Sequence, residues 1–480
     1  MNVSDYFNLN LTQRQLDFVD VYIDDDIALF VDPSAFFKYD DPWSSECHSI
    51  IREYFQYLVE QIRSGNELKA IAQLSFLSEP KETHLGFGQR NFKGRGIGGL
   101  QAQYLFNQLK GSRAVITGFI TDLADCELMV PGISFDKISD MTTNIIRQCL
   151  IKYTQEQCKL FDIPMENVAA GFMWDSSQKK WYNNYVDLPL INNTQLILVP
   201  KKVVVWKPEI SSNEFYNFDV LEYLQGVHLS ANSALVETLK NKKKIVTKKT
   251  LKEQPEYRFS KEFIYEFCNN HPEILDAYKK RKQQQGIRNS MSDSDLISEI
   301  SEAEVADVLI NQLKNIKAGN DNASEFHKYC IGALEFLFFP TLNNPQKERE
   351  IHDGRKRIDI VFSNNAPGGF FYEMRTTPST HAAMIIIECK NYSYDPANPE
   401  LDQIAGRFSP LRGQFGIIIA RHFNNRPLFI NRCIDTAKDQ RGIIIPISDD
   451  DIIKMLNAVI NDQRRDIENQ LREIYMEIIS

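Results

Sequence analysis

Arg357-Ile358-Asp359-Ile360-Val361-Phe362 and, further on, Ile385-Ile386-Ile387-Glu388-Cys389-Lys390-Asn391 decide how the final third of this chain is read. Each is an apolar, β-branched run of strand length, and each carries charge where a buried strand ordinarily has none. Side chains alternate faces along a strand, so Glu388 and Lys390 project together while Ile387 and Cys389 face the other way. Asp359, on a neighbouring strand, is placed to join them. Two carboxylates at a strand edge offer an oxygen-rich seat for a hard divalent cation, and an adjacent ammonium orients or stabilises an attacking water or its hydroxide. An acid and a lysine two apart also occur on solvated sheet faces. Three isoleucines ahead of Glu388 and the apolar setting of Asp359 argue for the site.

The surroundings extend the pattern. Asp353-Gly354-Arg355-Lys356-Arg357 leads into the first strand, and Asn364-Asn365-Ala366-Pro367-Gly368-Gly369 predicts a hairpin between the two strands. Glu400 to Arg407 reads as a helix, with Gln403 and Arg407 one turn apart on one face, and Gly416 to Arg421 reads as a further buried strand. Ala323 to Leu337 also reads as a helix, because Phe326, Cys330, Ala333 and Leu337 recur on one face.

On these residues the stretch from about 320 to 460, roughly a third of the chain, resembles the PD-(D/E)XK nuclease superfamily. Asp359 matches the first acid and Glu388-Cys389-Lys390 the E-x-K, while Ile358 stands where the signature has proline. The resemblance implies a restriction-endonuclease-like fold, a mixed central sheet flanked by helices. It also implies Mg²⁺, with Mn²⁺ as a substitute, held by Asp359 and Glu388, with Lys390 helping to position and activate the water. Gln403 matches a glutamine that completes the site in many members. A further acid usually comes from the helix ahead of the first strand, for which Glu325 is the first choice and Glu335 the second; His327 is a neighbour that also stands within reach.

Composition bounds the remainder. At 480 residues and 43% hydrophobic content the chain has room for about three domains with conventional cores. No apolar run approaches the ~18 residues of a membrane span, and the first residues lack a basic segment and an apolar one, so a cytoplasmic protein is expected. Eight scattered cysteines form no C-x-x-C pair, which argues for reduced thiols rather than structural zinc or a disulfide framework. The net charge of −9 is uneven: Lys347 to Arg441 holds 14 basic and 11 acidic residues, about +3, against about −12 elsewhere. Arg355, Lys356, Arg357, Arg407, Arg412, Arg421, Arg426 and Arg432 are candidates for phosphate contacts, with an ordinary solvated surface as the alternative for each.

Three units follow: residues 1–225 as an α+β domain for sensing or recognition, 226–318 as a basic and helical connection, and 319–480 as the nuclease-like domain with a terminal helix. In the first, strands are expected at 27–33, 112–119 and 195–200 and helices at 46–63 and 140–161. Gly94, Gly96 and Gly99 spell G-x-G-x-x-G, but no clean buried strand precedes them, so the dinucleotide reading fails; a phosphate cradle or a plain surface loop remains. Lys240 to Lys261 carries nine basic residues, a solvated run or a polyanion-binding arm. Ser448-Asp449-Asp450-Asp451 caps a helix, and the stripe Ile467, Leu471, Ile474, Ile478 either folds back on the core or forms a dimer seam.

The expected function is metal-dependent hydrolysis of DNA by a restriction or anti-phage effector. A homodimer suits cleavage of both strands, and the first domain would receive a protein or nucleotide trigger. A silent nucleic-acid-binding scaffold and an RNA-directed nuclease are the alternatives.

Overall fold

The computed structural model describes the chain apart from residues 87–96, 240–241, 286–300 and 352–355, and apart from the side chains of 97–99, 283–285, 348–351 and 356–357. The fold is mixed α and β. In the amino-terminal part a short strand β1 (Phe30–Val31) is followed by the long helix α1 (Pro42–Arg63), which starts where the Asp41 carboxylate accepts the Ser44 N–H at 3.0 Å. Cys47, Ile51, Tyr54, Leu58 and Ile62 give α1 its buried stripe. The single helix expected at 140–161 is two, α2 (Phe135–Ile145) and α3 (Arg147–Phe161). A ribbon of β2 (Glu166–Asp175) and β3 (Lys180–Leu188) follows, and β4 (Val204–Val205) returns to pair with β1.

The strand expected at 112–119 is instead one helical turn, Arg113–Ile116, ending at Gly118 with φ +72°. Ala114 and Val115 bury against the core from that turn, and tertiary packing overrides the β preference of Val-Ile-Thr. The middle region is helical, as expected, with a two-residue hairpin (Glu237–Thr238 with Lys244–Ile245). Three cations of its basic run are engaged locally: Lys244 with Asn232, Lys248 with Glu222 at 2.9 Å, and Lys261 with Glu127 at 3.7 Å.

The carboxy-terminal part begins with α4 (Glu302–Asn315), capped by Ser301 and Glu304, and α5 (Ala323–Phe338). Its sheet contains β5 (Leu342–Ile351), β6 (Lys356–Asn364), β7 (Met384–Lys390), β8 (Phe415–Ala420) and β9 (Ile443–Ser448), in the spatial order β9-β8-β7-β6-β5. β7, β8 and β9 run parallel, and β5 and β6 are antiparallel to their neighbours. Parallel pairs need crossovers, supplied by helices α7 (Asn398–Ala405) and α8 (Arg426–Lys438). Ile385 to Ile387, Ile417 to Ile419 and Ile443 to Ile445 are all buried, as continuous apolar strands covered on both faces must be.

A simple hairpin between β6 and β7 is not what forms. Residues past Asn365 enter a helix, α6 (Gly369–Thr376), because Phe370, Phe371 and Met374 bury at helical spacing. After β9, Ser448 caps α9 (Asp449–Ile460), and α10 (Arg465–Ile479) folds back with Ile467, Leu471, Ile474 and Ile478 all buried. No helix among the described residues is long and apolar enough to cross a membrane.

The two ends of the chain meet through buried polar contacts. Asp17 accepts from Tyr153 at 2.7 Å and from the Asn344 backbone at 2.9 Å. Lys201 pairs with Glu335 at 3.2 Å, and Lys202 donates to Asp41 at 2.8 Å and to Asn343 at 3.0 Å. These four charged side chains are at most 2% exposed.

Two stability outcomes follow from this packing. Lys201→Met leaves Glu335 buried without its cation and should cost about 3 kcal/mol, whereas Lys201→Met with Glu335→Leu should recover most of it; equal urea midpoints for the single variant and wild type would refute the pairing. Asp140, on α2, is held at about 8 by burial first and then by Asp136 and Glu79. The folded chain therefore binds that proton more tightly than the unfolded one, and the associated stabilisation, complete below about pH 4, is lost as pH rises to about 8. The melting temperature of Asp140→Asn should accordingly climb relative to wild type across that window, and a pH-independent difference would count against it.

Candidate active site

The ladder between β6 and β7 closes with Ile360 opposite Ile387, and the next cross-strand position brings Asp359 opposite Glu388. The Asp359 carboxylate accepts the Cys389 backbone N–H at 3.3 Å. Lys390 Nζ stands 3.2 Å from Glu388 Oε2 and 3.8 Å from Asp359 Oδ2. Gln403, reaching down from α7, donates to Glu388 Oε2 at 2.9 Å and accepts from Lys390 Nζ at 3.2 Å. Asp359, Glu388, Lys390 and Gln403 thus form one contact network.

Exposure grades across it. Glu388 is fully buried, Lys390 is 9% exposed and Asp359 is 21% exposed, so the cluster opens toward solvent on the Asp359 side. Burial, and then the charge of Asp359 beside it, pushes the Glu388 carboxyl well above the usual carboxylate range. Burial alone would lower the Lys390 pKa, but the charges of Glu388 and Asp359 outweigh it and hold the ammonium above its ordinary value. Lys390 therefore keeps its proton at neutral pH and acts as a charged hydrogen-bond donor. Glu388 Oε1 is buried and has no hydrogen-bond partner among the described residues.

The cluster lies on one face of β7; Cys389, alternating with it, turns to the opposite face and meets Cys330 of α5. That placement corrects the expectation for the helix ahead of the first strand. Glu325 is exposed and accepts from its own neighbour Asn322 at 3.0 Å, while Glu335 is the partner of Lys201. α5 packs behind the sheet face that carries the cluster, so neither acid joins it. His327 comes closer, donating from Nε2 to the Cys389 carbonyl at 3.2 Å.

The arginine expectation is also revised. Arg355 and the side chain of Arg357 lie outside the described residues. Arg412 caps the other end of the sheet: its carbonyl accepts from Met384, the first residue of β7, and its guanidinium donates to the Arg407 carbonyl at 3.0 Å. Four strand residues, roughly 13 Å, separate that corner from Glu388. Arg421 is spent on Asp449, Asn391 and the carbonyls of Leu313 and Ile316, Arg426 on Asp451, and Arg432 on the Pro396 carbonyl. Arg421, Arg426 and Arg432 are thus engaged at helix ends and loops. The described part of the G-x-G-x-x-G stretch is limited to the backbone from Ile97 onward, the start of a helix.

Two features carry no sequence pattern. Asn391 fixes the turn after β7 by donating to the Lys317 and Gly319 carbonyls at 3.0 and 2.8 Å. Tyr392 and Tyr394 follow it, and their only signal is the Tyr-x-Tyr spacing directly beyond Lys390-Asn391.

Among families of known proteins, one described as "Domain of unknown function (DUF8370)" matches residues 8–211, a stretch that ends well before the cluster. No curated protein and no solved structure matches the chain.

The geometry sets opposite expectations for its two buried charges. Lys390→Met strands Glu388 and should lower stability by about 3 kcal/mol. Burial and the neighbouring Asp359 disfavour the Glu388 anion, so the melting temperature of Glu388→Gln should climb relative to wild type as pH rises from about 4 to about 8. A Lys390→Met protein as stable as wild type would mean the network is not formed.

Proposed function

We propose that this chain is a Mg²⁺-dependent enzyme that hydrolyses phosphodiester bonds in DNA. In this reading residues 319–480 form a restriction-endonuclease-like domain, and the protein is a restriction or anti-phage effector. The observation that carries it is the convergence of Asp359, Glu388, Lys390 and Gln403 from two strands and a helix. The mixed sheet flanked by helices, with the cluster where β6 and β7 diverge, agrees with it. The role in defence rests on analogy with the superfamily.

The donor set fits a hard divalent cation. Two carboxylates share one corner, one oxygen of Glu388 has no partner, and the like charges of Asp359 and Glu388 raise each other's cost. Asp359 and Glu388 would hold Mg²⁺ or Mn²⁺, which when bound lowers the pKa of a water and polarises a phosphoryl oxygen. Lys390, retaining its proton, donates to the attacking oxygen or the phosphate and stabilises the charge that builds there; it is not the general base. Gln403 holds that ammonium in place by bonding both it and Glu388. The isoleucines of β7 and β8 exclude water from behind the cluster and so strengthen these interactions. The reading puts the enzyme in the cytoplasm, in keeping with eight buried, free cysteines. A homodimer would suit cutting both strands, and the amino-terminal part would receive the trigger.

The test is a cleavage panel with Mg²⁺ and Mn²⁺ on circular duplex DNA, linear duplex DNA, single-stranded DNA and RNA. Asp359→Asn and Glu388→Gln should each reduce the rate by at least about a hundredfold, the range in which loss of one electrostatic group at a reacting centre falls. Wild-type rates in either variant would remove the cluster from the mechanism, and cleavage of RNA alone would replace the substrate.

A further inference from the structure

Immediately beyond Lys390 the chain is anchored at two points. Asn391 is held by Lys317, Gly319 and the Arg421 guanidinium, the last at 3.0 Å, and its own carbonyl accepts from Gly319 at 2.7 Å. Asp395 accepts the backbone N–H groups of Asn424 and Asn425 at 2.8 and 2.9 Å, tying the segment to the loop that follows β8. Between the anchors stand Tyr392 and Tyr394, their rings stacked with centroids 4.8 Å apart and planes 19° from parallel. Tyr394 is 62% exposed, and neither ring belongs to the hydrophobic core or packs against it.

Their position gives a reason for them. Tyr392 is two residues past Lys390, roughly 7 Å of extended chain, and lies within electrostatic reach of both Lys390 and Asp359. A flat, rigidly mounted aromatic face beside a site that would grip a phosphodiester suits a nucleobase, since every base offers a π-face and stacking tolerates any sequence. Bases inside an intact duplex are already stacked on one another and present no free face.

Resting on the nuclease reading above, we propose that Tyr392 and Tyr394 form a stacking platform for an unpaired DNA base next to the scissile phosphate, and that the substrate is single-stranded DNA or a single-stranded segment of it. Tyr394 supplies the outer face, and Tyr392 backs it from the side of Lys390.

Binding without turnover tests this apart from catalysis. Full-length protein in EDTA is titrated against a short single-stranded oligonucleotide carrying 2-aminopurine and against a hairpin duplex of equal length. The single strand should bind more tightly than the duplex and its fluorescence should change on binding. Tyr394→Ala should weaken single-strand binding about tenfold while leaving duplex binding unchanged. Tyr394→Trp should preserve it, and circular dichroism should show both variants folded, as expected for an exposed side chain. Duplex binding as tight as single-strand binding, or a Tyr394→Ala protein that binds like wild type, overturns the platform. The two readings fail separately: Tyr394-dependent binding in a protein that never cleaves would sink the nuclease and keep the platform, and cleavage that ignores Tyr394→Ala would do the reverse.

Discussion

A carboxylate with no exposure to water, Glu388, is the constraint around which the carboxy-terminal sheet is arranged. An unpaired charge there would be prohibitive, so its surroundings are specified one by one. Lys390 must lie on the same face of β7, which the two-residue spacing guarantees. Gln403 must arrive from the helix that follows, which fixes where α7 sits on the way to the parallel strand β8. The isoleucines that wall the cluster then turn a wet ion pair into a dry one, where each remaining contact counts for more.

The molecule buries charge in two ways, and the contrast is informative. Where the amino- and carboxy-terminal parts meet, cations and anions are matched: Lys201 with Glu335, Lys202 with Asp41. Such pairs hold two surfaces in a fixed relation. In the cluster two acids share one lysine, and an oxygen of the buried acid is left without a partner. Two acids beside one lysine is the imbalance on which the proposed chemistry rests.

Much of this was legible in the residues. Isoleucine runs that are continuous rather than alternating identify β7 and β8 as buried strands, and E-x-K places Glu388 and Lys390 together without any tertiary knowledge. Gln403 was reachable through the resemblance, which implies a glutamine on the helix that follows the E-x-K strand. Other features were not. Glu325 sits beside a buried stripe, but helical spacing says only that α5 packs on something, not on which face of the sheet. The arginines could not be assigned from charge balance, because Arg421 and Arg426 are consumed by Asp449 and Asp451, residues brought near only by the fold. Nor does turn chemistry at Asn364 to Gly369 reveal that Phe370, Phe371 and Met374 will nucleate a helix before β7 begins.

Asp359 and Glu388 neighbour each other only because Ile360 pairs with Ile387, and each step along a strand reverses the side on which a residue emerges. The cluster is therefore indexed by registry rather than by sequence distance. The long connection from 365 to 383 packs on the core through α6 but does not set this pairing. One residue gained or lost between Asp359 and Val361 would swing the first acid to the Cys389 side, leaving a well-formed sheet in which the cluster had been dismantled by counting alone.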